Sequence, residues 1–96
     1  MVKTIVKKNK FGKYSKSKAL IELGERIRKY RKENIGLSQE VFANSVGLHR
    51  TYLSSIERGE FNMTIMTLLL LSKGLKVKLD DLIHGLDKFN VEITNA

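Results

Sequence analysis

The chain has 96 residues, enough for one domain with its own core, and no cysteine, which excludes a disulfide framework and a zinc–thiolate centre. Its formal net charge of +8 is lopsided: Lys3, Lys7, Lys8, Lys10, Lys13, Lys16 and Lys18 precede the first acidic residue, and the other 11 of the 18 basic residues face 10 acidic ones. A nearly neutral body therefore carries a basic arm, either a solvated tail or an attractor of polyanions, DNA ahead of a membrane surface.

Ile5-Val6 after Lys3 is no signal-peptide core, and the longest apolar-rich stretch, Ile65 to Leu75, is too short to cross a bilayer. A cytoplasmic protein without a membrane partner is expected. Three segments follow: an arm over 1–16, a domain over 17–86 and a short tail over 87–96. The arm is rich in Lys, Ser and Gly, lacks a helical apolar period and is expected to be largely disordered, with Thr4 to Val6 a weak strand signal.

Ser17 is the N-cap of a first helix from Lys18 to about Glu33, which places Leu20, Leu23, Ile27 and Tyr30 on one face. Gly24 and Arg31 fall on that same face. Asn34-Ile35-Gly36 breaks the helix. A second, capped by Ser38, runs from Gln39 to Val46 with Phe42, Ala43 and Val46 inward. Gly47 suits the left-handed position after a helix end, and Leu48 anchors the turn. A third helix spans about Arg50 to Arg58 and stops at Gly59. Thr64 caps a fourth, Ile65 to about Gly74, with Ile65, Leu68, Leu71, Ser72 and Leu75 inward. Leu79 to about Leu86 makes a fifth. Phe89 to Thr94 alternates weakly, as a short strand does. The expected class is all-α with five helices.

The second and third helices have the mechanics of a helix-turn-helix. Ala43 allows a close crossing, Gly47 makes the bend, and Leu53 and Ile56 fix the third helix to the core. A plain helical hairpin needs the same spacing but not a polar outer face. Here Arg50, Thr51, Ser54, Ser55 and Arg58 are expected to project away from Leu53 and Ile56. Arg50, near the helix start, reaches guanine edges bidentately, and Thr51 offers a hydroxyl or a methyl. Small serines let the helix sit deep in a major groove.

Leu23-Gly24-Glu25-Arg26-Ile27-Arg28, Gly36-Leu37-Ser38-Gln39-Glu40, Ala43, Gly47-Leu48 and Ile56-Glu57-Arg58-Gly59, taken jointly, resemble the Cro/repressor-type helix-turn-helix (XRE) family over about residues 20 to 85. The run from His49 to Ser54, with Glu57-Arg58-Gly59, Asn62 and Thr64-Ile65, looks most like restriction–modification controller proteins. The resemblance implies a lambda-repressor-like DNA-binding fold. It also implies base-edge contacts for Arg50 and Thr51, a DNA contact for Tyr52, a groove-facing Ser55, and phosphate contacts for Gln39, Arg58 and Asn62. There are two departures. One extra residue lies between Arg31 and Gln39, so a bulge is expected in the first turn. Phe61 stands where a polar or basic residue is usual, which removes the basis for a backbone contact there.

Arg31, a cation on an apolar face, needs a partner. The resemblance supplies Glu57, and the alternative is a side chain that snorkels to solvent. Met66 and Leu70 point off the inward face of the fourth helix and leave apolar surface uncovered. A second subunit is the expected cover, with Ile83 contributing; a folded-over N- or C-terminal extension is the alternative. Other chemistry has little support. His49 and His84 are far apart, Asp80-Asp81 are adjacent near a helix start, and no phosphate-binding glycine loop or activated nucleophile is present. No enzyme, cofactor, metal or small-molecule ligand is expected. The expected function is transcriptional control by a homodimer on an operator with an inverted repeat, as in control of a restriction–modification operon. An antitoxin of a toxin–antitoxin module and a protein-interaction module of the same fold are the alternatives.

Overall fold

The computed structural model describes residues 17–89, so the arm and most of the tail, 90–96, lie outside the described residues. Five α-helices follow in order: α1 (Lys18–Tyr30), α2 (Gln39–Val46), α3 (Arg50–Glu57), α4 (Ile65–Leu75) and α5 (Leu79–Ile83). A π-helical turn, Arg31–Ile35, continues α1, and a 3₁₀ turn, Leu86–Lys88, follows α5.

Three of the helix starts are chemically local. Ser17, Ser38 and Thr64 all have extended backbones, and each hydroxyl accepts from the N–H three residues on, at 3.1, 3.2 and 3.2 Å. The stops are less simple. The first helical path does not break at Asn34, because the extra residue is wound into the π turn. The Gly36 N–H bonds the Arg31 carbonyl at 2.8 Å, five residues back. Helix α4 runs on to Leu75, and Lys76 takes the left-handed cap with φ 60°. Gly74 is therefore inside the helix, where an added Cβ would meet Val46 Cγ1 at 2.4 Å. Helix α5 ends at Ile83 rather than near Leu86: His84 is non-helical and Gly85 has φ 73° before the 3₁₀ turn begins.

Leu23, Ile27, Phe42, Ala43, Leu53, Ile56, Met63, Leu71, Leu75 and Leu82 form one core to which all five helices contribute. Helices α2 and α3 have eight residues each, too few to persist alone in water. Burial of Phe42, Leu53 and Ile56, roughly 1.5–3 kcal/mol each, holds them in place. One expectation for α4 fails. Ile65 is 55% exposed instead of inward, because Met63, from the loop before the helix, takes the core position at that end.

Gly24 shows how α1 positions α3. A Cβ there would stand 2.5 Å from the Ile56 carbonyl oxygen and 2.6 Å from that of Glu57, so the two helices touch backbone to backbone. Arg26 ties α1 to the other end of the fold. Its Nη1 donates to the Leu82 carbonyl at 2.9 Å, and its Nη2 pairs with Glu22, which also meets Lys88 Nζ at 3.3 Å.

Candidate nucleic-acid interface

The bend between α2 and α3 is made at Gly47, whose φ of 77° is open to glycine and strained for other residues. The Leu48 N–H returns to the Ala43 carbonyl at 2.8 Å, which closes the turn. His49 occupies the N-cap of α3 without a side-chain cap bond. Arg50 and Thr51 follow it, both exposed. Among the described residues Arg50 makes no side-chain hydrogen bond or ion pair, so its guanidinium is available to a ligand.

The rest of the α3 face is more enclosed than its sequence implies. Tyr52 is half-buried, with its ring edge-on to Phe61 at 5.4 Å and 76°. That packing accounts for an apolar residue at position 61. Ser54 is half-buried, and its Oγ accepts from Arg58 Nη1. Ser55 does not project: it is 6% exposed and forms part of the lining of a cleft of about 410 Å³ with His49, Thr51, Tyr52 and Phe61. The loop after α3 folds back over it, with the Glu60 N–H on the Ser55 carbonyl at 3.0 Å and Arg58 Nη2 at 3.3 Å from its Oγ.

Behind this face lies the ion pair. Arg31 and Glu57 are 4% and 7% exposed, which excludes a snorkelling arginine. Arg31 Nε donates to Glu57 Oε2 at 2.7 Å, Nη2 donates to Oε1 at 3.0 Å, and Nη1 donates to the Leu37 carbonyl at 2.7 Å. Gln39 Nε2 adds a bond to Oε1 at 2.9 Å. Among the described residues, no buried side-chain nitrogen or oxygen is left without a partner. The network joins the π turn, the start of α2 and the end of α3. It also aims Gln39, whose amide has a second N–H to offer.

Arg58 is engaged as well, by a residue that sequence reasoning passed over. Its Nε and Nη2 donate to the two carboxylate oxygens of Glu60, both at 3.0 Å. The Glu60 bonds raise the Arg58 pKa further above its already high ordinary value. The signal was an acidic residue two positions on, across Gly59 with φ 75°. Asn62 is exposed beside this loop.

On the far side, Met66 and Leu70 are 69% and 38% exposed and line an apolar groove of about 400 Å³ with Thr67, Leu69 and Lys73. Ile83 on α5 is exposed but does not line that groove.

A family model described as helix-turn-helix matches residues 27–82, more than half of the chain. The chain is a helix-turn-helix protein. Its relatives place it more finely. It is 43% identical over 68 residues to the control protein C.MunI of a Mycoplasma species, over 71% of this chain and 92% of that one. It is 48% identical over 61 residues to the control protein C.SmaI of Serratia marcescens, over 64% and 71% of the two chains. Among solved structures, the restriction–modification controller protein C.Esp1396I, a tetramer in complex with its natural 35 base-pair operator, superposes with a TM-score of 0.65. The identity is 40%, over 76% of this chain and 95% of that one. This helix-turn-helix protein thus belongs with the XRE-type controller proteins, a group of transcriptional regulators.

Proposed function

We propose that the protein docks as a homodimer on an operator with an inverted repeat, places α3 of each subunit in the major groove, and controls a restriction–modification operon. It does so without catalysing a reaction. The observation that carries this reading is the start of α3: Arg50 and Thr51 stand in solvent on a helix fixed from behind by the Arg31–Glu57 pair. A rigid helix presenting a free guanidinium is what bidentate reading of a guanine edge requires. That C.Esp1396I, 40% identical to this chain, is a tetramer in complex with its operator supports operator DNA as the partner.

In this scheme Arg50, Thr51 and Ser54 meet base edges, and Tyr52 contacts DNA beside them. Gln39 and Asn62 hold phosphates, and Arg58 joins them once its carboxylate partner is exchanged. Ser55 shapes the cleft from within and makes no direct base contact. A second copy covers Met66 and Leu70, together with the exposed Ile65. Ile83 has a place in that interface only if the partner reaches α5.

In vitro selection of duplexes by the purified protein is the test. An inverted repeat is expected, with half-site centres about 10 bp apart. Arg50→Ala should weaken operator binding by about 1–3 kcal/mol and relax preference at one base position per half-site. Selection of single half-sites without fixed spacing would refute the dimer docking.

A further inference from the structure

Arg58 comes to the proposed interface with the Nε–Nη2 edge of its guanidinium already gripped by a carboxylate. The Nε and Nη2 hydrogens go to Glu60 Oε2 and Oε1, each at 3.0 Å, while Nη1 donates to Ser54. A carboxylate gripped along that edge presents the same planar pair of acceptor oxygens as a DNA phosphate does. The pair is also well placed for exchange. The Arg58 side chain is 49% exposed and that of Glu60 21%, so an arriving phosphate reaches the guanidinium without unfolding the loop. The backbone beneath is fixed by the left-handed Gly59 and by the Glu60 N–H on the Ser55 carbonyl.

Resting on the docking proposed above, we infer that Glu60 is a built-in stand-in for a DNA phosphate. It occupies the Arg58 fork in the free protein and is displaced by a backbone phosphate when the operator seats. Glu60 thereby sets the affinity of the interface. Each subunit exchanges one charge-assisted pair for another instead of gaining a new one, and the released carboxylate is left near the phosphates. The residue makes no base contact, so it tunes strength without choosing sequence. An exposed ion pair corresponds to a factor of up to about five in an equilibrium constant. Two subunits docking together would show up to about twenty-five-fold.

The exchange is tested with the full chain, by titrating the selected operator and a scrambled duplex against wild type, Glu60→Gln, Arg58→Gln and the double variant. Thermal melts establish that each is folded. Glu60→Gln should tighten operator binding by several-fold to about twenty-five-fold. In the Arg58→Gln background the same change should have a far smaller effect, because there is no guanidinium fork left for carboxylate and phosphate to compete for. Arg58→Gln alone should reduce the slope of log affinity against log salt by about 0.9 per subunit. Equal tightening in both backgrounds would overturn the inference and reduce Glu60 to a bulk negative charge. Weaker binding by Glu60→Gln would overturn it in the opposite sense, by making Glu60 the strut that holds Arg58 in its DNA-competent pose. Arg50→Ala separates the two levels of argument. If it abolishes operator preference while Glu60 and Arg58 show no coupling, the docking stands and the exchange falls. If wild type binds no duplex, both fall.

Discussion

Replacing Arg31 by Met removes three donated hydrogen bonds and leaves the Glu57 carboxylate, on a side chain 2% exposed, with Gln39 as the donor still in place. A buried carboxylate stripped of its cation costs about 3–5 kcal/mol, against a total stability of about 5–15 kcal/mol for an ordinary domain. For a domain of this size each 1 kcal/mol moves the midpoint of thermal unfolding by about 4–8 °C, so a fall of at least about 12 °C is expected. Glu57→Leu should be comparably damaging, because it strands the Arg31 guanidinium with one remaining acceptor, the Leu37 carbonyl. The double variant, Arg31→Met with Glu57→Leu, removes both charges and should recover most of the loss. Urea unfolding followed by circular dichroism, at one protomer concentration because a dimer's stability depends on it, measures all four corners of the cycle. If the two single effects add to within about 0.5 kcal/mol, the pair is not coupled and the argument from burial is wrong.

Three further outcomes are expected. Leu70→Lys should sediment as a folded monomer and bind operator much more weakly; a variant that stays dimeric would move the interface off the α4 groove. Deleting residues 2–16 removes six lysines and should make the salt dependence of binding shallower by a few units per dimer. The preferred operator should be unchanged, and an altered base preference would mean that the arm reads a groove. The Glu22 carboxyl is held below its ordinary value, chiefly by the hydrogen bond from Arg26 and then by Lys88. With the folded value depressed, the pairing stabilises the fold above the ordinary range and is lost as acid carries the pH down through the lowered value. An NMR titration of its side-chain carbon should therefore give a midpoint below that of an unpaired glutamate, and one at or above it would refute the pairing in solution.

The starts of α1, α2 and α4 were legible because Ser17, Ser38 and Thr64 cap through hydrogen bonds to N–H groups three residues away. Nothing distant takes part in that chemistry. The buried stripe of α1 and the bend at Gly47 were legible for the same reason, since both follow from helical period and backbone sterics. Arg31 was legible as a cation in need of a partner. That its bonds would extend through Glu57 to Gln39 was not, because those side chains come from three separate elements. Ser55 and Glu60 show the limit most clearly. On an isolated α3 Ser55 would face water, and Glu60 lies beyond the helix end; in the fold, the loop from Arg58 to Met63 turns back over the helix, buries Ser55 and brings Glu60 onto Arg58. The same loop seats Met63 in the core and leaves Ile65 outside. Period and capping specify which face of a helix is apolar, but which apolar residues win the core depends on where neighbouring segments cross. That crossing is decided by close packing among all five helices at once.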